Sequence, residues 1–92
     1  MLFRSSAPVH LLIVPKEHIE NTDSLTEANA SIMGRLFLAA KEAAKAKGIA
    51  GAYRIVANTG KEGGQEIFHF HLHLLGGRKM GALIAEDRKS VV

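Results

Sequence analysis

Hydrophobic and polar residues fall in blocks that predict three strands and one helix. Residues 9–14, Val-His-Leu-Leu-Ile-Val, are apolar and rich in β-branched side chains, and Pro15 closes them. Proline donates no ladder hydrogen bond and holds its predecessor extended, so the run reads as a strand. Residues 16–23 are polar and end in turn formers; Ser24 or Thr26 then caps a helix over about 27–47, with Gly48 as its stop. Within it Ile32, Leu36, Ala39, Ala40 and Ala43 form an apolar stripe at helical spacing, while Arg35, Lys41, Glu42 and Lys45 face water. The alanines allow close approach to a sheet or another helix. Gly34 in the interior costs about 1 kcal/mol against Ala, either as tolerated entropy or in exchange for a close helix contact.

Residues 53–58 alternate Tyr53, Ile55 and Ala57 against Arg54, Val56 and Asn58, a second strand, and the glycine-rich stretch 58–64 follows as a turn. From 67 to 75 a period of two puts Phe68, Phe70, Leu72 and Leu74 on one face and Ile67, His69, His71, His73 and Leu75 on the other. Gly76 and Gly77 end this third strand. It pairs antiparallel with the second, because the loop between them is too short for a parallel crossover. Beyond residue 80 no sharp period exists, although Ala82, Leu83 and Ile84 suit a short packed element before a charged tail.

With 92 residues and 9.9 kDa, the whole chain 1–92 reads as a single α+β domain. Folding buries about 64% of the extended chain's surface at this size, a thin core. Hydrophobic residues at 47% argue against disorder, and the lack of cysteine removes disulfides and thiolate chemistry. The formal charge is only +3, with one Tyr and no Trp, which argues against a nucleic-acid stacking surface. No run of 18 apolar residues and no signal-like start is present, so the expectation is a cytoplasmic protein that makes no membrane contact.

Three alternating histidines are the chemically informative feature. Neighbours on one strand face stand roughly 6.6–6.8 Å apart, too far for one ion to take all three. Two of them with His10 could approach zinc geometry, but there is no Cys and Glu66 has the wrong parity. A purely structural reading leaves the three hydrogen-bonded or solvated on the sheet surface. Phosphorus chemistry is the stronger reading: a neutral imidazole is a good nucleophile, and neighbouring rings can steady phosphate oxygens or protonate a leaving group. His71 sits centrally, His69 and His73 flank it, and Asn58 and the amides of 63–66 approach from the adjoining turn. Gly60, Gly63 and Gly64 serve either a tight hairpin or close backbone approach to an anion, and they form no P-loop or dinucleotide signature. His10 can join the histidine face, whereas His18 is read as a surface or loop-anchoring residue.

The stretch 7–18, Ala-Pro-Val-His-Leu-Leu-Ile-Val-Pro-Lys-Glu-His, and the stretch 63–78, with His69-Phe70-His71-Leu72-His73-Leu74-Leu75 at its centre, closely resemble the histidine triad (HIT) family, and within it the nucleotide-binding branch. The resemblance covers about 7–80 and leaves a divergent tail, 81–92. It implies a HIT-like α+β fold of about three remaining antiparallel strands and one long helix, without the N-terminal helix and hairpin usual in that branch. It also implies a nucleotide phosphoramidase or nucleotidyl hydrolase working on purine nucleoside monophosphate derivatives with no metal or cofactor. By resemblance His71 is the nucleophile that forms a nucleotidyl-histidine intermediate, His69 orients the site, His73 contacts phosphate and His10 lies beside the triad. Asn58, Gly64, Gln65 and Glu66 correspond to positions around phosphate and ribose, and Phe3 to a base contact. Glu66 departs from the Ser or Thr common there, and an ionised carboxylate donates no hydrogen bond. Leu2 stands where an acidic ribose ligand is expected. The family also implies a homodimer, with the helices meeting near Gly34, Ala39, Ala40 and Ala43. The alternative is a shortened nucleotide- or anion-binding protein with little turnover.

Overall fold

The computed structural model describes residues 7–78. Strand β1 (Val9–Ile13) is followed by a 3-10 turn (Thr22–Ser24), helix α1 (Ala30–Ala46), strand β2 (Tyr53–Val56) and strand β3 (Leu72–Gly76). The sheet order is β1-β3-β2, and β3 runs antiparallel to both neighbours. The expected α+β architecture of three strands and one long helix is therefore present.

Register explains the two faces. His10 pairs with Leu75 and Leu12 with His73 across β1 and β3, while Arg54 and Val56 of β2 oppose the same two β3 residues. Opposed residues share a face, so His10, Leu12, His73, Leu75, Arg54 and Val56 line one side of the sheet. The other side carries the core. Leu72 packs with Ile19, Ile32, Leu36 and Phe70, and Leu74 packs with Ala44 and Ile49, with Val9, Leu11, Ile13 and Ile55 beside them. At about 25 cal/mol per Å² the large side chains supply most of the favourable term in so small a core.

The helix differs from expectation at its start and on one face. It begins at Ala30, because Thr26 and Asn29 close a turn of their own: the Thr26 N–H donates to Asn29 Oδ1 at 2.7 Å and the Asn29 N–H to the Thr26 carbonyl at 3.2 Å. That side chain is thereby turned away from capping α1. The stop at Gly48 stands as expected. With φ of 77° it turns the chain so that its N–H reaches the Lys45 carbonyl and the Ile49 N–H the Ala44 carbonyl. The buried stripe is Ile32, Leu36, Ala40 and Ala44. Ala39, expected inside, is exposed, and Ala44 takes the inner position, because a stripe stepping by four keeps to the face that meets β3. Gly34 is exposed and has nothing packed against it.

Strands β2 and β3 are shorter than expected. Residues 67–71 lie outside the ladder, since the Phe70 N–H goes to the carbonyl of Ile19 in the loop after β1. Phe70 is still buried, but Phe68, placed by parity on the same face, is 48% exposed. The period of two is maintained only where a neighbouring strand enforces it. The reading of 82–84 as a short element lies outside the described residues. Among the described residues, no helix is long and apolar enough to cross a membrane.

Candidate active site

The histidine cluster is assembled where β3 begins, and its side chains are linked through specific atoms. His71 is buried, and its Nδ1 lies 2.7 Å from the carbonyl oxygen of His69. A carbonyl can only accept, so Nδ1 carries a proton, and in the neutral form of the ring Nε2 keeps a lone pair. The His73 ring stands 4.9 Å from that of His71, centroid to centroid, at 65°. On its far side, His73 Nδ1 is 2.9 Å from His10 Nε2, a hydrogen bond in which one ring donates and the other accepts. Burial, and then the charges of His71 and His10, lower the pKa of His73 below the ordinary histidine value, which keeps the ring neutral at neutral pH.

His69 behaves differently from its neighbours. Its Nε2 donates to the Pro15 carbonyl at 3.1 Å, and its ring meets that of His18 at 5.2 Å and 87°. The side chain therefore serves the loop after β1, while its backbone carbonyl serves His71. His18, read from the sequence as a loop residue without a local partner, touches the triad through this contact.

The glycine-rich turn is organised from within. The N–H groups of Gly63, Gly64 and Gln65 donate to the carbonyls of Gly60, Lys61 and Gly60 respectively. These three amides thus close the turn, the tight-turn alternative of the two that the glycines allow. Gly64 has a φ of 92°, and a Cβ there would stand 3.7 Å from the Asn58 side chain, so the two expected neighbours do lie together. A Cβ on residue 63 would overlap the Thr59 carbonyl, which makes that glycine a steric requirement.

Gln65 is 3% exposed, and every polar atom of its side chain is used within the protein. Its Oε1 accepts from the Gly60 N–H at 2.8 Å and from Asn21 Nδ2 at 3.3 Å; its Nε2 donates to the carbonyls of Glu20 at 2.7 Å and Ile67 at 3.1 Å. It pins the turn to the loop before α1, so the side chain of this residue, expected near phosphate and ribose, is engaged as an anchor within the protein. Asn21, which sequence reasoning missed, also accepts the Asp23 N–H at 3.1 Å and so joins the 3-10 turn to this anchor. An Asn ahead of Thr-Asp-Ser signals such a turn, but nothing local signals its pairing with a residue 44 positions away. Glu66 is exposed at the rim, and Phe3 lies outside the described residues. Among the described residues, no group of three or more His, Cys, Asp or Glu side chains is placed to hold a metal ion.

Comparison with known proteins places this geometry. The sequence profile of the HIT domain matches residues 3–80. An uncharacterised HIT-like protein of Synechococcus elongatus is 45% identical over 74 residues, and a HIT-like protein of Chlamydia pneumoniae is 47% identical over 77. The matches cover 80% and 84% of this chain but 65% and 70% of those relatives, so the chain spans about two thirds of their length. Among solved structures, a HIT family hydrolase from Clostridium thermocellum is 48% identical with a TM-score of 0.82, covering 87% of this chain and 70% of that one. A HIT family hydrolase from Legionella pneumophila is 43% identical with a TM-score of 0.79, covering 83% and 69%. Matched over most of its length by the family profile, and carrying the three alternating histidines in the fold these relatives share, the chain belongs to the HIT, or histidine triad, family.

Proposed function

We propose that the chain hydrolyses nucleoside phosphoramidates or related nucleotidyl substrates, as a member of the nucleotide-binding branch of its family, through a covalent nucleotidyl-His71 intermediate. The observation that carries this reading is the Nδ1–H of His71 donated to the His69 carbonyl, which leaves Nε2 as the nucleophilic atom. In the first step the Nε2 lone pair forms a bond to phosphorus as the P–N bond to the leaving amine breaks. The electron pair departs with the amine nitrogen, which takes up a proton. The ring becomes cationic, and the carbonyl at Nδ1 stabilises that charge. In the second step water adds to phosphorus and gives up a proton, the Nε2–P bond breaks, and its pair returns to the ring. The products are a purine nucleoside monophosphate and the free amine. In this reading His73, whose ring adjoins that of His71 and bonds to His10, contacts the phosphate. Two solved relatives are described as hydrolases, which supports the reaction class.

A homodimer fits the outer face of α1, where Phe37 is 50% and Leu38 63% exposed beside the bare Gly34. Ala40, expected at that interface, is fully buried in the core and is not available to it.

The second reading, nucleotide or anion binding with little turnover, is favoured by the closed turn and by the carboxylate of Glu66 at the rim. The two are separated by mixing the protein with adenosine 5′-phosphoramidate and following AMP release together with the mass of the denatured protein. Turnover and a nucleotidyl adduct, both lost by at least about 10³-fold in His71→Ala, support hydrolysis. Binding without either supports the second reading, and neither binding nor turnover overturns both.

A further inference from the structure

Three contacts from the loop after β1 converge on one peptide unit of the site. The carbonyl of His69 orients His71, yet His69 precedes β3, so no ladder bond sets that carbonyl. The N–H of the same peptide unit, on Phe70, is donated to the carbonyl of Ile19. The His69 ring is tied to the carbonyl of Pro15 at 3.1 Å. The third contact is the His18 ring, edge to face with His69 at 5.2 Å and 87°. Beside the packing of the Phe70 side chain on Ile19, Ile32, Leu36 and Leu72, the contacts that hold this peptide unit and the His69 ring come from residues 15–19, and His18 is the one side chain among the three.

We propose that His18 is a positioning residue: it holds the His69 ring, and through it the carbonyl that fixes the tautomer and direction of His71. An edge-to-face ring pair is directional, so it restricts the ring torsion that a single hydrogen bond to Pro15 leaves loose. A ring free to turn about that bond lets the 69–70 peptide tilt, and the Nδ1–H···O bond of His71 weakens steeply with angle. The consequence falls on the rate of attack, because the misdirected atom is the nucleophile and no substrate contact is lost. His18 is exposed, so its truncation leaves the core intact.

The inference rests on the reading of His71 as nucleophile, and the experiment separates the two. His18→Ala, His18→Gln and His18→Phe are compared with the unaltered protein in adenosine phosphoramidate hydrolysis at pH 8, and the ring signals of His69 and His71 are followed by NMR. The expected result is a kcat lowered about three- to tenfold in His18→Ala and His18→Gln at unchanged KM, with His18→Phe restored to within about twofold. The His71 Nδ1–H signal should broaden or shift in the first two variants and return in the third. Unaltered kcat in His18→Ala, or a loss that Phe does not repair, overturns the proposal. If the unaltered protein shows no turnover, the reading of function fails instead, and identical His69 and His71 signals in His18→Ala then overturn the role of His18 independently.

Discussion

His10 and His73 share a hydrogen bond of 2.9 Å between ring nitrogens that lie 63 residues apart in sequence, one on β1 and the other on the central strand. One of the two rings must present a lone pair, so the pair is complete only while one stays neutral at that nitrogen. A second proton breaks the bond, and burial makes that protonation costly for His73.

Stability should therefore fall in mild acid. The His73 pKa is lower in the folded chain than in the unfolded one, so the unfolded state binds more protons between the two values. The contribution is fully present above the ordinary histidine value of about 6.5 and is lost as pH drops through it toward the folded value. Urea midpoints measured from pH 8 down to pH 5 should decline, and the decline should be shallower in His73→Gln. An equally steep decline in that variant would assign the effect to other groups.

Replacing Gln65 should damage the fold before it damages chemistry. Gln65→Ala leaves the Gly60 N–H and the Glu20 carbonyl without their partner in a buried setting, at a cost of about 2–3 kcal/mol. Asn21→Ala, which removes the 3.3 Å bond to Gln65 and the exposed 3.1 Å cap to the Asp23 N–H, should cost less, about 1 kcal/mol. Chemical denaturation of both variants gives the comparison, and equal losses would argue against the anchor.

Gly63 and Gly64 should respond unequally to alanine. At 63 the new methyl group overlaps the Thr59 backbone and the turn must open, whereas at 64 the space is adequate and the cost is the positive φ, about 1 kcal/mol. Gly63→Ala is expected to be the more destabilised and to lose more turnover. Thermal unfolding and phosphoramidate hydrolysis report the order.

The outer face of α1 gives a fourth test, at the level of assembly. If Phe37 and Leu38 form the homodimer contact, Leu38→Asp should yield a folded monomer by sedimentation with an unchanged circular dichroism spectrum. A dimer that persists at micromolar concentration would place the interface elsewhere.

Much of this architecture could be read from sequence because periodicity reports what a regular neighbour enforces. The Val9–Ile13 strand, the Gly48 stop and the inner parity of Leu72 and Leu74 all follow from it. The grouping of His10 with His73, which the sequence offers only if the first strand pairs suitably, is realised by the antiparallel register of β1 on β3. The places where sequence reasoning diverged are those where a loop overrides the period. Phe68 is half-exposed because Phe70 bonds to the Ile19 carbonyl and takes the segment out of the ladder. The family resemblance puts Gln65 among the positions around phosphate and ribose, and its bonds to Glu20 and Asn21 carry no local signal, since they form only once the loops meet. His18 carried no signal for the same reason: the ring it touches is 51 positions downstream, and no local pattern encodes that pairing.

The placement of β3 between two partners has a consequence for how the site comes apart. His73 lies on a strand hydrogen-bonded along both edges, so its surroundings exchange with solvent only when the whole sheet opens. His69 and His71 lie just before that strand and depend on loop contacts, which open at lower free energy. The boundary between the most and least protected backbone thus runs through the triad, between its second and third histidines. His71 can loosen and reseat within a folded molecule while His73 stays clamped.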